Sequence, residues 1–329
     1  MTLNSEQMQC KVTPHPPQSS PNIWKNINPI CYNNLHDPRS ESVVMKISEK
    51  AVLSLFSAGG AIGLGSILSG LIKNNSAVEL TPYITTAFLM SISGNCTRIL
   101  ANDRAGRFEK IIISAAVLSY ATALSSDCDN STALAIYLKL ITTGCVGAWN
   151  AAQMVRLNAV CFTDSCRKIT SLQSPFPIES TDDQVAIAAF SCYALGAALG
   201  YGAISIGLSV GSSLNKLAPF ITFAFLMSHC GNMVRSEFND LAPLREKCLI
   251  RAAVSCYFIA LCCDFSGEPK TNPAAAYTKL AAAGLVGIWN ADQTWRINKT
   301  TARVIPTEDT HILVTKECYD VDQPSTHHI

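Results

Sequence analysis

Apolar stretches punctuate the chain, and they come as two sets of four. The first set opens with AVLSLFSAGGAIGLGSILSGLI (51–72), 22 residues without a charge. The second opens with the run from Val185 to Asn215, uncharged for 31 residues. The core of a bilayer takes about 20 residues of helix, and a water-exposed helix of that length would carry a charged face. Both runs therefore predict membrane spans. The other six are more modest. Residues 81–97 and 218–234 are uncharged for 17 residues each, 111–126 and 252–263 are shorter, and 132–155 and 274–295 each carry a lysine near their start.

The two sets are also alike residue by residue. Leu80 to Arg98 (LTPYITTAFLMSISGNCTR) and Leu217 to Arg235 (LAPFITFAFLMSHCGNMVR) agree at 12 of 19 positions. The register continues through Glu109-Lys110 and Glu246-Lys247, Tyr120 and Tyr257, and Asp127 and Asp264. Three inserted residues then move the offset from 137 to 140, where GAWNAAQMVRLN (147–158) meets GIWNADQTWRIN (287–298). An internal duplication of this length is outside the range of the common solenoids. It predicts a disordered polar arm over 1–45, a four-helix unit over 46–160, a polar linker over 161–182, a second unit over 183–300 and a polar tail over 301–329. The N-terminal arm has no basic start followed by an apolar core, so it does not read as a cleaved signal peptide.

Charge changes the picture most. With eight spans and a cytoplasmic N-terminus, the inner flanks hold 16 basic residues, among them Arg98, Arg104, Arg156, Arg235 and Arg296, while the outer loops hold only Lys73, Lys216 and Lys270. That asymmetry is what the positive-inside rule expects. Four spans per unit give both units the same orientation, so the repeats are parallel and related by an axis along the membrane normal. The predicted fold class is thus all-α: a multi-span helical membrane protein of about eight transmembrane helices in two parallel repeats, with both termini cytoplasmic. A soluble helical bundle is the contrasting reading.

Composition mainly excludes. Charged residues are 15% of the chain and the net charge is +1, so no basic field attracts nucleic acid. Fourteen cysteines include no CxxC pair, and most lie in apolar runs, where Cys packs as a small hydrophobe. No P-loop, GxSxG, HExxH or dinucleotide fingerprint is present, so neither an enzyme nor a cofactor is expected. The sequons at Asn74 and Asn130 fall in outer loops.

The candidate chemistry lies within the helices. Gly59 and Gly63, Gly196 and Gly200, and Gly207 and Gly211 stand four apart and predict close helix packing. Asn95 and Asn232, Asn150 and Asn290, and Gln153 and Gln293 are matched amides inside apolar segments, where an unpaired amide is costly. They read either as interhelical hydrogen bonds or as a polar pathway. His229 replaces Ile92 and Asp292 replaces Ala152, giving the second unit two ionisable groups of its own; a helical ion pair with Arg296 would explain Asp292. Trp149 and Trp289 read as interface anchors. Lys139 and Lys279 are expected to pair with Asp127 and Asp264 of their own units. Two function classes compete: a transporter or channel for a small solute or ion at the repeat interface, and a non-transporting membrane scaffold whose N-terminal arm recruits protein partners. In either case the lipid bilayer is the first partner.

Overall fold

The computed structural model describes residues 38–129, 132–158, 181–211, 213–266 and 272–304. Most of the predicted N-terminal arm, linker and C-terminal tail, and the sequon at Asn130, lie outside the described residues. The eight helices described are α1 (Pro38–Lys73), α2 (Ala77–Leu100), α3 (Arg107–Cys128), α4 (Thr132–Leu157), α5 (Thr181–Val210), α6 (Leu214–Glu237), α7 (Leu244–Ser266) and α8 (Pro273–Val304).

Local chemistry sets several boundaries. Ser76 caps α2 with a capping box: its hydroxyl accepts from Glu79 N–H at 3.4 Å, and the Glu79 carboxylate accepts from Ser76 N–H at 3.1 Å. At the α2–α3 corner the Asn102 side chain accepts from Arg104 N–H, and at the α6–α7 corner Asn239 accepts from Leu241 N–H, each at 3.0 Å. The uncharged run Val185–Asn215 does not form one span. It breaks at Gly211, whose φ of +62° ends α5 in the left-handed region that glycine adopts without a steric penalty. Nothing lies within 4 Å of a Cβ placed on Gly211, so this glycine is a helix stop and not the packing residue its spacing suggests.

Each helix packs on its neighbours in chain order, and α1 packs on α8 to close a ring. The even-numbered helices make a further contact each: α2 with α8, and α4 with α6. Each of these four therefore has three principal neighbours, whereas α1, α3, α5 and α7 have two and form the outside. Their outer faces are apolar: Leu68 is 63% exposed, Leu118 69%, Leu208 72% and Phe258 59%. Five helices are long and apolar enough to cross a membrane, namely those over Ser48–Lys73, Arg107–Cys128, Gln184–Val210, Lys216–Glu237 and Leu244–Ser266. They comprise all four outer helices and α6.

The closest crossings are made by glycine. A Cβ on Gly63 of α1 would stand 2.6 Å from the backbone nitrogen of Gly284 on α8. A Cβ on Gly200 of α5 would stand at the same distance from Gly144 N on α4. Gly59 meets the Ala87 carbonyl of α2 and Gly196 the Ala224 carbonyl of α6, each at 2.9 Å, while Gly207 faces Leu217 and the Tyr137 hydroxyl. Side chains at these points would force the backbones apart and forfeit the dispersion contacts that hold apolar helices together.

Gly63→Val and Gly200→Val are each expected to lower the unfolding midpoint in detergent, since overpacking costs about 1–3 kcal/mol. Gly65→Ala, which meets nothing within 4 Å, is expected to leave the midpoint unchanged or raise it, because Ala is the better helix former by about 0.5–1 kcal/mol. Circular dichroism melts of the three variants in one detergent check both expectations.

Candidate functional site

Two cavities lie along the middle of the bundle, one toward each end. The larger, about 270 Å³, is at the end where α2 and α6 finish. The smaller, about 190 Å³, is at the end where they begin. Phe88 and Phe225 belong to the walls of both. Their rings stack at 5.0 Å between centroids, and Tyr257 and Tyr120 pack around them at 5.8 Å from Phe88 and 6.1 Å from Phe225 respectively. An aromatic septum thus stands between the cavities.

The smaller cavity is the lysine end. Lys139 of α4 reaches Asp127 of α3 at 2.6 Å, and Lys279 of α8 reaches Asp264 of α7 at 2.7 Å, so each lysine pairs with the aspartate of its own set as the sequence suggests. Thr85 and Thr222 donate to the same aspartates at 2.6 Å. The aspartates are almost wholly buried, with side chains 7% and 0% exposed. Both lysines line the cavity.

The larger cavity is the arginine end. Arg98, Arg104, Arg156 and Arg235 are in its wall, with Glu246. Arg156 forks onto Glu109 with contacts of 2.6 and 3.2 Å, and Arg296 forks onto Glu246 with 2.6 and 3.1 Å. The forks tie the first turn of α3 to the last turn of α4, and the first turn of α7 to Arg296, about two turns before the end of α8. A bidentate guanidinium–carboxylate pair is the geometry that best repays desolvation. The acids were not singled out in the sequence as site residues, although Glu109 and Glu246 recur at the same register.

All six matched amides, Asn95, Asn232, Asn150, Asn290, Gln153 and Gln293, line the arginine-end cavity, and so does His229. Asn150 and Asn290 donate to the carbonyls of Val146 and Val286 one turn back, each at 3.0 Å, which leaves their amide oxygens available. Asn232 accepts from the Tyr193 hydroxyl at 2.8 Å. The position equivalent to Tyr193 is Phe56, so this bond is particular to the second half. His229 is buried with its ring stacked on Tyr257 at 5.0 Å. Asp292 is not in the cavity wall: it lies 3.4 Å from Arg245 of α7, while Arg296 forks onto Glu246.

Trp149 and Trp289 depart from expectation. They are 6% and 5% exposed and form part of the cavity wall, not an interfacial belt. The reason is the position of their helices: α4 and α8 are inner helices, so an indole directed inward meets protein. Neither indole nitrogen has a hydrogen-bond partner among the described residues. The same holds for the hydroxyls of Ser91, Ser228 and Ser236 and for His229 Nδ1, all in residues of the same wall, and for the Tyr257 hydroxyl in the wall of the other cavity. Unsatisfied buried polar atoms are rare in native proteins. Their concentration around the two cavities is the feature that periodicity and spacing do not disclose.

Among the described residues, no group of three or more His, Cys, Asp or Glu side chains is placed to hold a metal ion. The chain matches no family model, no curated protein and no solved structure.

Removing one partner of a buried ion pair leaves an uncompensated charge, typically at a cost of about 3–5 kcal/mol. Asp264→Asn is therefore expected to destabilise the protein strongly, and the double variant Asp264→Asn/Lys279→Met to recover most of the loss. Thermal unfolding of the single and double variants checks this; a double variant no more stable than the single one would contradict it.

Proposed function

We propose that the chain is a multi-pass membrane protein that conducts or carries a small solute along the axis between its two halves. The observation that carries this reading is the pair of cavities with charged and amide side chains in their walls, sharing a stacked Phe88–Phe225 septum. A route across a bilayer needs two vestibules opening toward opposite ends and a constriction between them, and hydrophobic constrictions are a recurrent way to gate. Polar residues that would be costly in lipid are tolerated where they line such a route.

In this reading all eight helices span, in two parallel repeats of four. Five are apolar enough by themselves. The remaining three, α2, α4 and α8, are inner helices with three principal neighbours each, so less of their surface needs to suit lipid. The outward leucines of α1, α3 and α5 and the exposed Phe258 of α7 would face acyl chains; a soluble protein rarely leaves so much apolar surface uncovered. The basic residues of the inner loops support a cytoplasmic arginine end, with both termini on that side in this reading. The repeated contacts support a pseudo-two-fold arrangement: Thr85–Asp127–Lys139 with Thr222–Asp264–Lys279, and Glu109–Arg156 with Glu246–Arg296.

The test is directional access. In a background without other reactive cysteines, Asn95→Cys and Thr81→Cys are expected to react with a membrane-impermeant thiol reagent from opposite sides of sealed membranes. Phe88→Ala is expected to raise leak through reconstituted vesicles several-fold over the unaltered protein. The reading fails if alkaline carbonate strips the protein from membranes, or if both cysteines react from the same side.

A further inference from the structure

We infer that the solute this pathway recognises is a small uncharged molecule that both donates and accepts hydrogen bonds, a polyol or an amide of the urea kind; the inference rests on the pathway reading above and names its solute. Three observations carry it. The first is where the charges stand. In the arginine-end cavity every charged wall residue belongs to the rim. Arg98, Arg156 and Arg235 are in the last turns of α2, α4 and α6, Arg104 is in the corner after α2, and Glu246 is in the first turn of α7. Ser91, Trp149 and Ser228 stand seven residues before Arg98, Arg156 and Arg235, which is about 10 Å deeper at the helical rise. Ser91 and Ser228 follow the septum residues Phe88 and Phe225 by three positions. Between rim and septum, His229 is the one ionisable wall residue among the described residues, and its ring is stacked on Tyr257. An ion crossing that layer would leave water with no fixed opposite charge beside it, a cost that a neutral solute does not meet. Beyond the septum, Lys139 and Lys279 are each held by an aspartate, at 2.6 and 2.7 Å, so these pairs leave no surplus of either sign.

The second observation is the hydrogen-bonding character of the deep layer. The Trp149 and Trp289 indole nitrogens donate, and the Ser91 and Ser228 hydroxyls donate and accept. All four residues are buried, and none of these atoms has a partner among the described residues. The amide nitrogens of Asn150 and Asn290 donate to the Val146 and Val286 carbonyls, which leaves two amide oxygens as acceptors. Asn95, Gln153 and Gln293 add three carboxamides to the same wall, each with an acceptor oxygen and a donor amino group. The wall therefore presents donors and acceptors side by side. A halide would use only the donors and an alkali cation only the oxygens, and either would strand the other kind. A hydroxyl or an amide uses both.

The third is size and symmetry. The cavity is about 270 Å³, just below the range of about 300–1,000 Å³ typical of pockets for drug-sized ligands. Its serines lie on α2 and α6 and its indoles on α4 and α8. A molecule of a few heavy atoms would meet matched groups from both halves at once.

Flux and binding test this separately. Proteoliposomes holding the full chain are placed in gradients of glycerol, urea, chloride and potassium. Glycerol or urea is expected to enter several-fold faster than into protein-free vesicles, and the two ions no faster. Ser91→Ala combined with Ser228→Ala is expected to slow the neutral solutes at least threefold. Should that variant fail to fold, the comparison of neutral solutes with ions in the unaltered protein still decides. For binding, the full chain carrying Trp24→Phe and Trp295→Phe emits from Trp149 and Trp289 alone. Glycerol or urea is expected to red-shift that emission saturably, by accepting from the indole N–H groups, while potassium chloride leaves it in place. Chloride or potassium flux raised as much as that of the neutral solutes, or more, overturns the inference and leaves the pathway. Neutral-solute flux unaltered in a folded serine variant also overturns it. A saturable emission shift with no flux of any solute keeps the site and sinks the pathway, and neither shift nor flux sinks both.

Discussion

The close approach of α1 to α8 and of α4 to α5 is the constraint on which the rest of the molecule depends. At each crossing the backbone of one helix sits where a side chain would otherwise be, at Gly63 against Gly284 and at Gly200 against Gly144. These contacts join the first helix of each half to the last helix of the other. They are the closest of the contacts between α1 to α4 and α5 to α8, and they bring the two sets near enough for α2 to pack on α8, α4 on α6 and Phe88 on Phe225 around the cavities. In a membrane there is little hydrophobic gain in bringing apolar helices together, so backbone proximity and the dispersion contacts it allows have to do that work.

The ring sorts the chain's polar groups by radius. Outer helices show leucine and phenylalanine to the exterior and turn Asp127 and Asp264 inward, while the inner helices hold the amides, the indoles and the lysines that meet those aspartates. This sorting explains why α2, α4 and α8 are less apolar than a single-helix criterion asks. It also explains why the charged groups are so thoroughly paired. With Glu246 and Asp264 1% and 0% exposed, an unpaired carboxylate would be very costly, and each finds a cation on the adjacent helix.

The existence and order of the helices were legible from uncharged run lengths and from the recurrence of LTPYITTAFLMSISGNCTR as LAPFITFAFLMSHCGNMVR. The Asp–Lys pairs were legible too, because a lysine one to two turns inside a span needs a counter-charge and only one recurring aspartate was near. What the chain concealed followed from not knowing which face of each helix is inside. Trp149 and Trp289 carry the residue type and arginine spacing of an interfacial anchor, and only the position of α4 and α8 within the ring turns them inward. Gly211 continued a four-residue glycine spacing, yet its left-handed backbone serves a turn, a choice between two uses of glycine that spacing cannot make. The Phe88–Phe225 stack was hidden for another reason: two identical phenylalanines in the two copies reveal recurrence, not that the copies meet there.

Ring closure between the first and last helices also fixes an order of events during synthesis. Gly60 and Gly63 of α1 leave the ribosome more than two hundred residues before Gly284 and Gly287, against which they pack. At about 5–20 residues per second, that gap lasts roughly 10–45 seconds. Throughout it, α1 presents a notched, partnerless face to whatever insertion machinery or chaperone is at hand. The α4–α5 crossing, by contrast, unites helices that follow one another and can form as soon as α5 is made. The nascent chain therefore acquires its middle seam first and is sealed only by its final helix.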